Sequence, residues 1–195
     1  MICRRSPPAP ARMILTTAAK SARLSFAIPA NGALNDELSL LVQCEGMQSV
    51  YEAAGGSEGV LRLAEAWHRR VMADEIVSHA FSHGYLPDHS ERLAAYWAEA
   101  LGGPASYSAS YGDETSVVRI HSGNGDHAEM DQRAITCFDQ AMADTGIDPA
   151  GPLGRVLHGY FEWATTTTMA HYHESADDVP EGLSIPRWSW DGLET

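Results

Sequence analysis

The 195-residue sequence has few cysteines, few basic residues and no long apolar run. Its three cysteines, Cys3, Cys44 and Cys137, lie far apart, which excludes a disulfide-rich scaffold and a cysteine-based zinc site. We therefore expect a protein of the reducing cytoplasm. No apolar stretch approaches the about 20 residues that a transmembrane helix needs. The sequence thus predicts no membrane span.

Positive charge is also scarce. The chain has 13 Lys and Arg residues against 26 Asp and Glu residues, a formal net charge of −13 at pH 7. Nucleic acids and anionic membranes are bound mainly by basic surfaces. We therefore expect neither a nucleic acid nor a membrane as a partner.

Common catalytic motifs are missing as well, since the chain contains no HExxH, no P-loop and no GxSxG. A metal hydrolase built on scattered His and Asp has no support from spacing. Histidine itself is abundant, with nine residues. The two histidines of "HYHE" (171–174) would face apart on a helix, so a specific metal site there is not favoured. Four others are most simply exposed or capping: His79, His83, His127 and His158.

The chain divides into three parts. Residues 1–46 lack a sustained apolar segment, so they do not resemble a secretion signal and read as a disordered or upstream tail. Residues 47–174 form the predicted folded domain. Residues 175–195, called the C-terminal arm below, are predicted to be extended, with Trp188 and Trp190 docked on that domain.

Apolar residues at spacings of three and four predict an all-α domain. Ser57 is expected to cap a first helix that runs to about Ala73, and Asp88 with Glu91 forms a capping pair for the next. A loop over 103–127 follows, and a loop of that length is usually functional. Two further helices are expected at about 130–146 and 152–173.

Three histidines are placed differently from the others. His89 begins a core-facing helical stripe, His68 follows Trp67 on the first helix, and His121 follows the apolar run "VVRI". Taken singly, a histidine of this kind is more often a half-buried residue with its hydrogen bonds made within the protein than a ligand of a metal. Together, in a helical domain with one long loop, they suggest two sides of a pocket around a flat, apolar group such as haem, which one imidazole can hold.

At this point the sequence resembles a truncated haemoglobin of the second group. The similarity lies in "VYEAAGG" (50–56), "AEAWHRRVMAD" (64–74), "ERLAAYWAEALGGPASYS" (91–108) and "RIHSGNG" (119–125). It covers about 50–173. The resemblance implies a truncated globin-like two-over-two helical sandwich for the domain 47–174, with haem b as the cofactor.

The resemblance also implies the site residues. His121 takes the position of the iron ligand, Phe81 that of the aromatic residue against the porphyrin, and His89 that of the residue over the distal face. Leu93, one helical turn later, packs on the ring. Trp97 is then a pocket or core aromatic.

Two positions depart from the family pattern. His68 stands where the second helix usually offers a tyrosine to the bound ligand, and Ala134 stands where a distal tryptophan usually lies. The resemblance therefore implies a more open pocket, with imidazoles in place of phenol and indole donors.

The function that the resemblance implies is binding of dioxygen, nitric oxide or another diatomic ligand at haem iron. His89 and His68 would donate hydrogen bonds to the ligand, act as acid–base groups toward peroxide, or hold dioxygen for reaction with nitric oxide. The redox turnover that this permits is nitric oxide dioxygenation or a peroxidase-like reaction. Such turnover would need a reductase as partner. Direct ligation of ferric iron by His89 is a further alternative. The alternative from another class is a haem-free helical module for sensing or partner binding.

Overall fold

The computed structural model describes residues 48–123, 125, 127–169 and 174–194. Over these ranges the chain forms seven α-helices, which are α1 (Val50–Ala53), α2 (Gly56–Ala73), α3 (His89–Ala100), α4 (Ser106–Ser110), α5 (Glu114–His121), α6 (Ala128–Asp144) and α7 (Pro152–Trp163). Shorter elements are a 3₁₀ helix (Val77–Phe81), a π-helical segment (Ala164–Met169), a 3₁₀ turn (Ala176–Asp178), and the antiparallel strands β1 (Trp188–Ser189) and β2 (Gly192–Leu193). No helix in the described ranges is long and apolar enough to cross a membrane. The predicted tail, residues 1–46, lies outside them.

Two pairs of long helices enclose the core. Helix α2 packs against α3 and α6, and α6 packs against α7. The apolar stripe of α2 faces inward because Val60, Ala64 and Val71 recur at helical spacing, and all three are fully buried. The largest fully buried side chains are Tyr160, Phe138, Leu63, Leu101, Met142 and Leu157. The predicted all-α class is confirmed.

The predicted loop over 103–127 is wrong, because α4 and α5 lie within it. Asp113 caps α5 by accepting a hydrogen bond from the backbone N–H of Ser116 at 2.9 Å. The run "SVVRI" (116–120), although rich in β-branched residues, forms part of this helix. Helix α4 is held by a residue of the preceding helix α3, since buried Glu99 accepts from the N–H of Ser108 at 3.0 Å and from its hydroxyl at 2.6 Å. Sequence spacing alone does not reveal that contact.

Two helix starts differ from prediction in their caps. Helix α2 begins directly after Gly55, the N-cap residue, whose φ of 93° is left-handed. No side chain caps this helix start. The predicted cap, Ser57, instead shares a hydrogen bond with the Tyr51 hydroxyl at 2.8 Å. At α3, Asp88 is the N-cap residue, but its carboxylate accepts from Arg92 Nε at 2.9 Å and makes no cap bond to the backbone. The local patterns located both helix starts but not the partners of these side chains.

The last helix also differs from the prediction of a continuous α-helix over 152–173. The α-helix ends at Trp163, and the backbone continues with π-helical bonding to Met169. The hydroxyl of Thr166 donates to the carbonyl of Glu162 at 2.7 Å, a bond that competes with the backbone ladder and distorts helices. Residues 170–173 lie outside the described residues.

The C-terminal arm docks on the domain as predicted. The Trp188 ring packs 5.9 Å from Tyr160 and 5.5 Å from Trp163, measured between ring centroids. The indole Nε1–H of Trp190 donates to the carbonyl of Gln48 at 2.6 Å. The arm thus contacts both the last helix and the chain just before α1.

Gly59 and Gly159 offer a matched test of this packing. A Cβ at Gly59 would lie 1.9 Å from the carbonyl oxygen of Ala54, whereas at Gly159 the nearest atom is in Trp188 at 3.7 Å. Glycine-to-alanine exchange inside a helix normally stabilises by about 1 kcal/mol, so Gly159→Ala is expected to raise the free energy of unfolding. Gly59→Ala should lower it by about 1–3 kcal/mol through overpacking. Urea denaturation of both variants measures the difference, and equal effects would contradict the close approach.

Candidate functional site

His121 is the last residue of α5, and its ring orientation is set by its own helix. The ring Nδ1 lies 2.8 Å from the carbonyl oxygen of Val117, one turn earlier. A carbonyl oxygen only accepts, so Nδ1 carries the proton and Nε2 keeps the lone pair. That is the tautomer in which an imidazole binds a metal through Nε2.

The charge state of His121 suits the same role. The protein packed around the ring lowers its pKa, the bond to Val117 opposes this, and nearby His127 lowers the pKa further. The residue as a whole is nevertheless exposed to solvent. The imidazole is therefore neutral at pH 7.

His68 of α2 and His89 of α3 lie side by side, with ring centroids 5.1 Å apart. Both ring nitrogens of His68 and Nε2 of His89 are sealed from solvent and have no hydrogen-bond partner among the described residues. Burial lowers the pKa of His68. Burial also lowers the pKa of His89, and the charges of His68 and His121 lower it further. His68 and His89 therefore form a cluster of neutral imidazoles, and His121 lies near enough to lower the pKa of His89.

Two aromatic side chains complete this cluster. Phe81 packs edge-on against His68 and His89, at centroid distances of 5.3 and 5.2 Å. Tyr85 lies 4.7 Å from His68 and 6.0 Å from His89, although it is exposed. Phe81 was singled out from the sequence. Tyr85 was missed because a lone tyrosine in the turn "SHGYLP" carries no local signal.

The remaining predicted site residues lie nearer the core. Leu93 is partly buried and packs against the hydrophobic core. Trp97 lies among Trp67 and two phenylalanines, at 5.9 Å from the Trp67 ring, so the structure groups it with the core aromatics. Ala134 is buried, and its carbonyl oxygen accepts a hydrogen bond from Trp67 Nε1 at 3.2 Å. The small side chain at Ala134 thus lies beside an indole supplied by α2.

The other histidines have ordinary roles. His127 is hydrogen-bonded to Asp131 and His158 to Asp139, each at 2.8 Å, and His79 and His83 are exposed. No group of three or more His, Cys, Asp or Glu residues is arranged to hold a metal ion in the part of the chain that the structure describes. Residues 171–173 of "HYHE" are outside that part.

Comparison with known proteins identifies the family of the chain. A family model described as bacterial-like globin matches residues 49–152, more than half of the chain. The chain belongs to the bacterial-like globin family. Haem is therefore the cofactor that the family implies, and haem-based ligand binding is the general function.

Solved structures of similar fold are truncated haemoglobins. The group II truncated haemoglobin of Bacillus anthracis is 20% identical with a TM-score of 0.56, and the match covers 65% of this chain and 93% of that one. The truncated, oxygen-avid haemoglobin of Bacillus subtilis is 21% identical with a TM-score of 0.55, covering 63% and 99%. The thermostable haemoglobin of Thermobifida fusca is 27% identical with a TM-score of 0.54, covering 64% and 99%. The predicted truncated-haemoglobin resemblance and two-over-two fold are confirmed.

The residues of this globin fit a haem group. The Nδ1 of His121 is bonded to the backbone, which selects the tautomer that can bind iron through Nε2. The unpartnered nitrogens of His68 and His89 are costly to bury in a dry protein interior, and a polar ligand between them would satisfy them. Phe81 supplies an apolar surface beside them.

Proposed function

We propose that this globin binds diatomic ligands such as dioxygen or nitric oxide at a haem b whose iron is held by His121. The observation that carries the proposal is the adjacent pair of imidazoles, His68 and His89, whose buried ring nitrogens have no hydrogen-bond partner among the described residues. Haem, when bound, supplies an iron centre with a coordination position open to a small ligand.

The chain's own groups then decide how that ligand is held. A neutral imidazole has one N–H donor and one acceptor nitrogen. With its proton on Nε2, His89 donates a hydrogen bond to a ligand that has gained negative charge. His68 can donate a second bond or accept from His89, which selects the tautomer of its neighbour. Because the pKa values of both histidines are lowered, both imidazoles are neutral at pH 7.

The same pair supports redox turnover. The two neutral imidazoles, whose ring centroids are 5.1 Å apart, can each exchange a proton with a bound peroxide, which is the acid–base function that peroxide reduction uses, or hold dioxygen by a hydrogen bond for reaction with nitric oxide. A cytoplasmic reductase would serve as the electron donor. The division into a globin domain (47–174) and a C-terminal arm (175–195) forms part of the same proposal. The globin domain would hold the haem.

The test is to reconstitute the full chain with haem and to measure the dissociation rate of dioxygen. A charge-assisted hydrogen bond is worth about 1.5–3 kcal/mol, so His89→Ala is expected to raise that rate by about tenfold to hundredfold. His79→Ala, which changes an exposed histidine, is the control.

The outcomes separate the alternatives. Absence of a Soret band after reconstitution would refute haem binding and favour a haem-free sensing or partner-binding module. A normal Soret band with an unchanged dissociation rate in His89→Ala would instead remove His89 as the donor. A ferric spectrum that changes from low-spin to high-spin in the same variant would indicate direct ligation by His89.

A further inference from the structure

We propose that the C-terminal arm is a brace for helix α5 and thereby positions His121, with Thr115 as the positioning residue. The inference rests on the proposed role of His121 as iron ligand. The match to the family model ends at residue 152, before the arm begins, so the brace is a feature outside that match.

Thr115 joins α5 to the arm through both functions of its hydroxyl group. The side chain is 1% exposed and lies in the first turn of α5. Its Oγ1–H donates to the carbonyl oxygen of Pro180 at 3.2 Å, and Oγ1 accepts from the N–H of Leu183 at 3.1 Å. One buried hydroxyl thus satisfies two backbone groups of the arm and ties the first turn of α5 to it.

Further contacts continue along α5 towards His121. Arg119 forms an ion pair with Glu181 of the arm, with an N–O distance of 2.6 Å. Exposed pairs of this kind contribute little stability, but this one lies on the turn that contains His121. Just beyond the helix, a Cβ on Gly123 would meet the carbonyl oxygen of Glu174 at 3.4 Å. The segment from 174 onward therefore borders α5 from its first turn to beyond its end.

The arm is also attached to the domain independently of α5. Arg187 donates from its guanidinium to the carbonyl of Glu99 at 2.6 Å. Val179 and Ile185 are buried, and Trp188 packs against α7. An element held at several points away from α5 can resist movement of α5, which is what a brace requires.

A brace matters here because α5 is short and carries the proposed ligand at its end. A helix of eight residues is marginal by itself and depends on tertiary contacts. The His121 ring is tied to Val117 of the same helix, so a tilt of α5 moves the ring with it. The orientation of α5 therefore sets the direction in which Nε2 points.

The experiment compares Thr115→Val, which keeps the shape and removes both hydrogen bonds, with Thr115→Ser, which keeps the hydroxyl. Thr136→Val removes a hydroxyl from an exposed site on α6 and is the matched control. Three readouts are used: hydrogen exchange of residues 114–121 in the haem-free protein, the iron–imidazole stretching frequency in the ferrous protein, and the rate of haem transfer to apomyoglobin.

We expect Thr115→Val to speed exchange of 114–121 and haem transfer by about tenfold each, the factor for losing buried hydrogen bonds of ordinary strength. The stretching frequency should shift, and Thr115→Ser and Thr136→Val should stay near wild type. Should Thr115→Val fail to fold, Glu181→Gln tests the ion pair at an exposed position and should change the same readouts by about twofold.

Unchanged exchange and an unchanged stretching frequency in Thr115→Val, or in Glu181→Gln where that variant is needed, would overturn the brace. Lack of haem binding by wild type would defeat the proposed function instead. The exchange measurement on the haem-free protein would still decide whether the arm holds α5, so the two failures are distinguishable.

Discussion

Haem retention is expected to fall by more than about 100-fold when His121 is replaced by alanine. Loss of groups that only orient a metal ligand already weakens metal binding by about 10- to 100-fold, and His121→Ala removes the ligand itself. His68 and His89 are poor substitutes for it, because neither has a backbone hydrogen bond like the one from His121 Nδ1 to the Val117 carbonyl. The measurement is the Soret absorbance that remains after gel filtration, together with the rate of haem transfer to apomyoglobin.

His158→Ala is the matched control for this prediction. His158 is also a helical histidine with Nδ1 bonded to an oxygen, but that oxygen belongs to Asp139, away from the cluster. Its variant should keep haem as wild type does. Added imidazole should restore a Soret band to His121→Ala, because the ligand is then supplied from solution. Full haem retention by His121→Ala without imidazole would show that another residue holds the iron.

The second large effect is expected at Glu114, a buried carboxyl group at the start of α5. The residue is 4% exposed and accepts a hydrogen bond from the Tyr96 hydroxyl at 2.8 Å. Burial raises its pKa from the ordinary 4.5 to about 7, the bond from Tyr96 lowers it, and the charge of Asp113 raises it. Near neutral pH this helix therefore begins on a carboxyl group that is costly to ionise.

The sign of the pH dependence follows from proton uptake. Between pH 4.5 and about 7 the folded protein keeps the proton on Glu114, while the unfolded chain releases it. This contribution to stability is complete below pH 4.5 and falls as the pH rises to about 7. The difference between the two pKa values corresponds to about 3 kcal/mol.

Glu114→Gln should remove this dependence, since an amide oxygen accepts from Tyr96 without ionising. We expect the variant to exceed wild type in free energy of unfolding by about 3 kcal/mol at pH 8 and to match it near pH 4.5. Urea denaturation at both pH values, in the same haem state, gives the difference. Exposed Glu129→Gln controls for the loss of one negative charge, and a gain in Glu114→Gln that is equal at both pH values would rule out the raised pKa.

Much of the fold was predictable because its long helices carry regular apolar spacing. The positions of α2, α3 and α6 follow from residues such as Val60, Trp97 and Phe138, all of which face the interior. The docking of Trp188 was predictable because large aromatic side chains seldom stay in water. The short helices α4 and α5 were missed because Glu99 and Thr115 support them through tertiary contacts, to Ser108 and to Pro180, that no helical spacing indicates.

The sequence by itself determined the all-α class, the acidic charge, the similarity to truncated haemoglobins and three of the histidines of the candidate site. These properties follow from local spacing and residue chemistry. Only the tertiary structure decided that His68 and His89 are adjacent, that Tyr85 joins them, and that His121 ends a helix held by the arm. The physical reason is that ring contacts, desolvation and hydrogen bonds between distant segments depend on how the helices pack, which no local pattern encodes.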